Sequence, residues 1–197
     1  MNNPDSSLYY AHQSYTLSEK VYNNLVTARL LYLLGDIYEK KGNDTLALKY
    51  LRQGITYSQD HDFISATIEA TNGLAQYLYN KKAFDSCVFY AMKSVDAIQS
   101  SGFIIDAPET YNILATAYTA KRNIDSTIKY KDLFQASKDT LLGMNRIQQV
   151  QQILFNQEQQ RKQEQESVLA YKNTVRFYTL LAGPYSIGSC CGFALSQ

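Results

Sequence analysis

The residue types that carry most enzymatic and metal chemistry are scarce in this chain. It has two histidines, His12 and His61, and only His61 has carboxylates beside it, in Asp60-His61-Asp62. That triplet has the donor types of a metal site, but it falls in a polar run between helical stretches and is expected to be solvated loop. Cys87 stands alone, while Cys190 and Cys191 are adjacent near the end. With no C-x-x-C pair and no histidine at metal spacing, neither a zinc site nor a disulfide framework is indicated, and the redox compartment stays open. No Gly-rich phosphate loop or G-x-S-x-G elbow occurs. Asn43-Asp44-Thr45 fits a glycosylation sequon, but turn and capping chemistry explains it better. The expectation is a chain with no catalytic residues, no metal ligands and no cofactor, and so not an enzyme.

Composition points the same way. The 197 residues carry a formal net charge of +1 and are 45% hydrophobic but only 19% charged. There is no basic footprint for nucleic acid, and no nucleic-acid partner is expected. Nine glycines and three prolines suit a mostly helical chain with short connections. The polar start, Met1-Asn2-Asn3-Pro4-Asp5, does not look like a signal peptide.

The elements that would position any functional residue come from a repeat. Shifting the chain by forty residues superposes Leu34, Leu74 and Leu114, then Gly35, Ala75 and Ala115, then Tyr38, Leu78 and Tyr118. The same shift aligns Lys41, Lys81 and Lys121, and Tyr50, Tyr90 and Tyr130. Each unit holds two apolar stripes at helical spacing: Leu30, Leu31, Leu34, Ile37 and Tyr38, then Leu46, Ala47, Tyr50, Leu51 and Ile55. A Lys41-Gly42-Asn43-Asp44 turn separates them. Asp85 and Asp125 sit where an N-cap would hold the second helix of the later repeats. Gly35, Ala75 and Ala115 would let paired helices approach closely.

These residues carry a resemblance to the tetratricopeptide repeat family. Leu31-x2-Leu34-Gly35-x2-Tyr38, followed by Ala47, matches that family's signature with Leu31 in the Trp position; the second copy keeps Leu74, Ala75, Leu78 and Cys87, and the third Leu114, Ala115, Tyr118 and Thr127. The departure is length, forty residues against the usual 34, which longer helices absorb. HEAT-like pairing is the alternative, but its repeats lack the Leu-Gly-x2-Tyr spacing. The fold expected is an all-α solenoid of antiparallel helix pairs followed by one long helix. Residues 1–22 would be the second helix of an incomplete repeat, so the chain is expected to be a fragment of a longer array. Three repeats would follow over 23–62, 63–102 and 103–138. In such arrays the first helices line a concave groove that holds peptides or partner helices. Carrying over the family's groove positions gives Arg29, Tyr32, Asp36 and Glu39, then Glu69, Asn72, Gln76 and Tyr79, then Glu109, Asn112 and Thr116. Asn72 and Asn112 would hydrogen-bond an extended partner backbone. Tyr32 and Tyr79 would offer rigid contact area. The Lys/Arg pattern that clamps a C-terminal carboxylate in some members is absent.

Residues 139–176 form a Gln-rich segment free of proline. Ile147, Val150 and Leu154 follow a 3.5-residue spacing, the same frame then gives Gln157, Arg161 and Glu164, and Val168, Tyr171, Val175 and Tyr178 resume it. Two readings stand: a coiled coil that makes a homodimer, or a solvated linker helix. Residues 177–197 are uncharged and of a length to span a membrane, though Gly183-Pro184, Gly188 and Gly192 interrupt them. Repeats, polar helix and hydrophobic tail in this order resemble the sensor region of bacterial membrane signalling proteins, in which a histidine kinase or DNA-binding regulator follows the span. That resemblance implies a membrane-tethered sensing scaffold with its repeats outside the cytoplasm, although Lys172 and Arg176 argue the reverse side. Without a span, the chain is expected to be a cytoplasmic adaptor that binds a peptide in its groove and self-associates through the long helix.

Overall fold

The computed structural model describes the backbone of residues 4–191 and the side chains of residues 5–180. The described residues are all helix and turn. They form α1 (Pro4–Lys20), α2 (Asn24–Lys40), α3 (Asp44–Asp60), α4 (Ile64–Asn80), α5 (Phe84–Ser101), α6 (Ala107–Ala120) and α7 (Ile124–Cys191). Two compact units part between Leu142 and Gly143. In the first unit, consecutive helices stack as the antiparallel pairs of a helical-repeat solenoid, α2 with α3, α4 with α5, and α6 with the first turns of α7.

The turns repeat one device. After α2, Gly42 adopts φ +75°, its N–H donates to the Glu39 carbonyl at 2.8 Å, and the Asn43 N–H donates to the Tyr38 carbonyl at 2.9 Å. Lys82 and Arg122 take the same left-handed position forty and eighty residues on, with the same pair of bonds. This closure satisfies carbonyls the helix end would leave bare and reverses the chain within three residues. The caps differ from the sequence expectation. Asn43 and Asn123, not the aspartates, cap α3 and α7, accepting from the N–H groups of Leu46 at 3.1 Å and Ser126 at 3.0 Å. Asp85 and Asp125 lie inside the first turn, where they face the positive helix end. α5 begins at Phe84 after Ala83, which has no side chain to cap it.

Within each pair the small-residue row sets the spacing. Leu31, Leu34 and Ile37 of α2 are buried, and Gly35 lies directly against Leu51 of α3. A Cβ on Gly35 would stand 2.6 Å from Leu51 Cγ and 3.1 Å from its backbone nitrogen. In the next repeat Ala75 and Ala91 occupy these positions and share a core cluster with Cys87. Burial pushes the Cys87 thiol up to about 11. Recurring tyrosines close the far end of the first and third pairs: Tyr38 stacks on Tyr50 at 5.4 Å, and Tyr118 on Tyr130 at 5.5 Å, both nearly parallel. Along the turns, Lys41 pairs with Asp5, Lys81 with Asp44 at 2.7 Å, and Lys121 with Asp85. These bridges are exposed, so solvent screens them and they add little to stability.

In the second unit, every side chain from Met144 to Leu180 is exposed. Residues 181–197, most of the hydrophobic tail, lie outside the described side chains, as do Cys190 and Cys191. Among the described residues no helix is long and apolar enough to cross a membrane.

Two glycine substitutions separate packing from helix propensity. Gly35→Ala should lower the unfolding free energy by about 1–2 kcal/mol, because overpacking against Leu51 exceeds the propensity gain. At Gly143, where an added Cβ meets nothing within 4 Å, the same change should raise stability by about 0.5–1 kcal/mol. Urea denaturation of the two variants checks both signs.

Candidate partner-binding face

The eleven residues carried over as groove positions lie on the first helices of the pairs: Arg29, Tyr32, Asp36 and Glu39 on α2, Glu69, Asn72, Gln76 and Tyr79 on α4, and Glu109, Asn112 and Thr116 on α6. Helical spacing puts the members of each set on neighbouring turns. Five of them converge. Tyr32, Asp36, Glu39, Gln76 and Glu109, with Leu51 and Gly73, line a cleft of about 50 Å³.

Tyr32 forms the floor because Gly73 admits it. A Cβ at Gly73 would lie 2.3 Å from Tyr32 Cε2, so the ring rests directly on the α4 backbone. Burial, then the charges of Glu109, Asp36 and Glu69, push the Tyr32 hydroxyl up to about 12. Around it, Arg29 donates to Glu69 at 3.0 Å and to Ser65 at 3.4 Å. Lys40 pairs with Asp36 at 2.6 Å. Asn80 donates to Glu39 at 2.7 Å and accepts from Gln76 at 3.1 Å. Glu109 has no ion pair among the described residues, and its carboxyl is held above the ordinary range by desolvation, then by Asp106 and Glu69. Asp106 is raised likewise by burial and by Glu69, against the opposing pull of Arg29, and its Oδ2 is buried with no hydrogen-bond donor. Arg29 and Lys40 are already engaged by carboxylates, so the face keeps surplus negative charge.

Asn72 does not belong to this face. It is wholly buried; its amide nitrogen donates to Thr110 Oγ1 at 2.9 Å, and the same hydroxyl lies 3.1 Å from its amide oxygen. An asparagine engaged between α4 and α6 has nothing to offer a partner backbone, so this expectation is corrected. Tyr79 is half-buried against Phe84 and the core of the second pair. Asn112 is exposed, and Thr116 bonds back to the carbonyls of Asn112 and Ile113, but neither lines the cleft. Ser65, Gly73, Asn80 and Asp106 take part without having been singled out from sequence. Gly73 carried a signal, as a glycine inside a helical stripe whose repeat equivalents are Leu33 and Ile113.

His61 is a packing residue rather than a ligand. Its ring stacks between Tyr57, at 4.3 Å, and Phe63, at 5.7 Å, and Nδ1 lies 2.9 Å from the Tyr57 carbonyl. Among the described residues no group of three or more His, Cys, Asp or Glu side chains could hold a metal ion. A larger apolar groove of about 450 Å³ lies between α1 and α2, lined by Tyr10, Ala11, Leu30, Leu33 and Ile37 among others. Tyr10 there is 65% exposed, whereas its repeat equivalents Tyr50 and Tyr130 are covered by Tyr38 and Tyr118.

With this geometry in place, comparison with known proteins gives one match: the tetratricopeptide repeat, over residues 28–61. These residues run from Ala28 in α2 to the end of α3, the pair that holds Gly35 against Leu51. No curated protein matches the chain, and no solved structure does.

The Asn72–Thr110 pair predicts a stability defect. Asn72→Ala removes the bond that ties α4 to α6 and leaves a buried void, so it should destabilise the chain by about 2 kcal/mol. Gln76→Ala, on the exposed side of the same helix, should cost about 0.5 kcal/mol or less. Parallel denaturation curves distinguish them.

Proposed function

We propose that this chain is a non-catalytic protein-interaction module that holds a segment of a partner protein on the face of α2, α4 and α6. Tetratricopeptide repeats generally mediate protein–protein interaction, and one is found at residues 28–61. The observation that carries the reading to this face is the meeting of Tyr32, Asp36, Glu39, Gln76 and Glu109, from three successive first helices, around one cleft. An aromatic floor with a polar rim is the usual anatomy of a surface that buries one partner side chain and orients its neighbours. The surplus carboxylates favour a partner segment with Lys or Arg and disfavour one ending in a free carboxylate.

A second reading rests on the second unit. The apolar residues of α7 between Ile147 and Tyr178 are exposed along a 3.5-residue seam, which supports self-association through this helix. A membrane tether gains no such support among the described residues and forms no part of this proposal.

Selection of binders from a random peptide library on the immobilised full chain should enrich peptides with Lys or Arg. Their affinity should fall as salt rises, because exposed charge pairs are screened. Glu39→Gln and Glu109→Gln should each weaken binding by about 2–5-fold, the scale of an exposed ion pair. Enrichment of acidic peptides, or affinities unmoved by either substitution, would remove this face from the reading.

A further inference from the structure

From Met144 to Leu180 nothing among the described residues covers α7, yet its sequence holds an unbroken heptad frame. The a and d positions begin at Ile147 and Val150 and end at Val175 and Tyr178. Most of the apolar seam is more than half exposed, Ile147 at 60% and Tyr171 at 71%. An isolated helix gains little from its own hydrogen bonds, and most helical stability in proteins comes from packing an apolar face. A heptad seam is buried by wrapping it around a second helix.

The seam also has a centre. Its middle a and d positions are Arg161 and Glu164, and neither is ion-paired among the described residues. The frame is symmetric about this step. Ile147 and Tyr178, Val150 and Val175, and Leu154 and Tyr171 lie at equal distances on either side, and each such pair joins an a position to a d position. In an antiparallel pair of helices, a residues of one copy face d residues of the other.

Resting on the self-association reading, we infer that α7 pairs with α7 of a second copy in antiparallel orientation, centred between Arg161 and Glu164. In that register each Arg161 faces Glu164 of the other copy, so the centre holds two opposite-charge contacts with apolar layers on both sides. A parallel, in-register pair would instead set Arg161 against Arg161 and Glu164 against Glu164 across the seam. Like charges juxtaposed across an interface are strongly unfavourable. The antiparallel register sets Gln157 against Val168, a smaller conflict, because a long uncharged amide can turn its polar end toward the rim. The flanking e and g positions put no like charges together in either orientation, so the core pair decides. One polar layer fixing orientation at some cost in stability is an established use of charge in coiled coils.

Two measurements on the full chain separate self-association from orientation. Sedimentation equilibrium should give a mass twice that of the monomer. A Cys87→Ala, Cys190→Ser, Cys191→Ser background is then given Ile147→Cys in one preparation and Tyr178→Cys in a differently tagged one. On oxidation, the mixture should yield predominantly the 147–178 disulfide between copies, and each preparation alone should yield little. A monomer at every concentration overturns both the self-association reading and the orientation, whereas an assembly other than a dimer overturns the antiparallel pairing alone. A dimer in which each preparation cross-links to itself and the mixture shows no preference overturns only the orientation. If the cysteine variants fold poorly, a spin label at the outward-facing Gln152 reads the same geometry. The antiparallel pair sets the two labels about 30 Å apart along the axis, at 1.5 Å per residue. The parallel pair sets them level.

Discussion

The close approach of paired helices at the small-residue row is the constraint on which the first unit depends. With Gly35 in van der Waals contact with Leu51, α2 and α3 sit near enough for Tyr38 to stack on Tyr50 at their far end. Where the facing residue shrinks to Ala91, the row can carry Ala75 instead. The cost of a misfit is high because interiors are close-packed and the surrounding helices relax only in part. Longer helices than the usual repeat add residues beyond this contact and leave its spacing intact.

The proposed partner-binding face follows from that packing. Because α2 and α4 are each fixed against their own second helix, their exposed sides are held at a set distance from one another, and Tyr32 of one rests on Gly73 of the other. The same rigidity brings Arg29 to Glu69, forty residues away, and Asn80 to Glu39. Polar residues at equivalent positions meet in register because each repeat is a near copy of the last. Breaks in the repetition make the surface specific. The tyrosine at position 32 is replaced by asparagine at 72 and 112, and only the first of these asparagines turns inward.

Much of the fold was legible in the sequence because a tandem repeat prints its contacts at a constant offset. Gly35, Ala75 and Ala115, and the tyrosines at 50, 90 and 130, indicated both which helices pair and which side is core. Caps were less legible: Asp85 and Asn123 are both good cap types, and the turn closure, not residue type, places the cap two residues before the aspartate. The site was legible only by face. Register transfer put Asn72 with Tyr32, but a side chain that reaches a neighbouring helix obeys the local rotation of α4 against α6, and Thr110 captures it there. Asp106 and Ser65 escaped notice because their roles come from contacts between repeats. Such contacts have no local pattern in sequence.

The most direct test of the central claim, that the partner is held on the face of α2, α4 and α6, is carboxyl footprinting of the full chain with and without a selected peptide. Carbodiimide labelling read by mass spectrometry reports each Asp and Glu separately. The account predicts that bound peptide protects Glu39 and Glu109 while Asp85, Asp125 and Glu158 label as before. Protection of Asp85, Asp125 or Glu158 with Glu39 and Glu109 unchanged would contradict it.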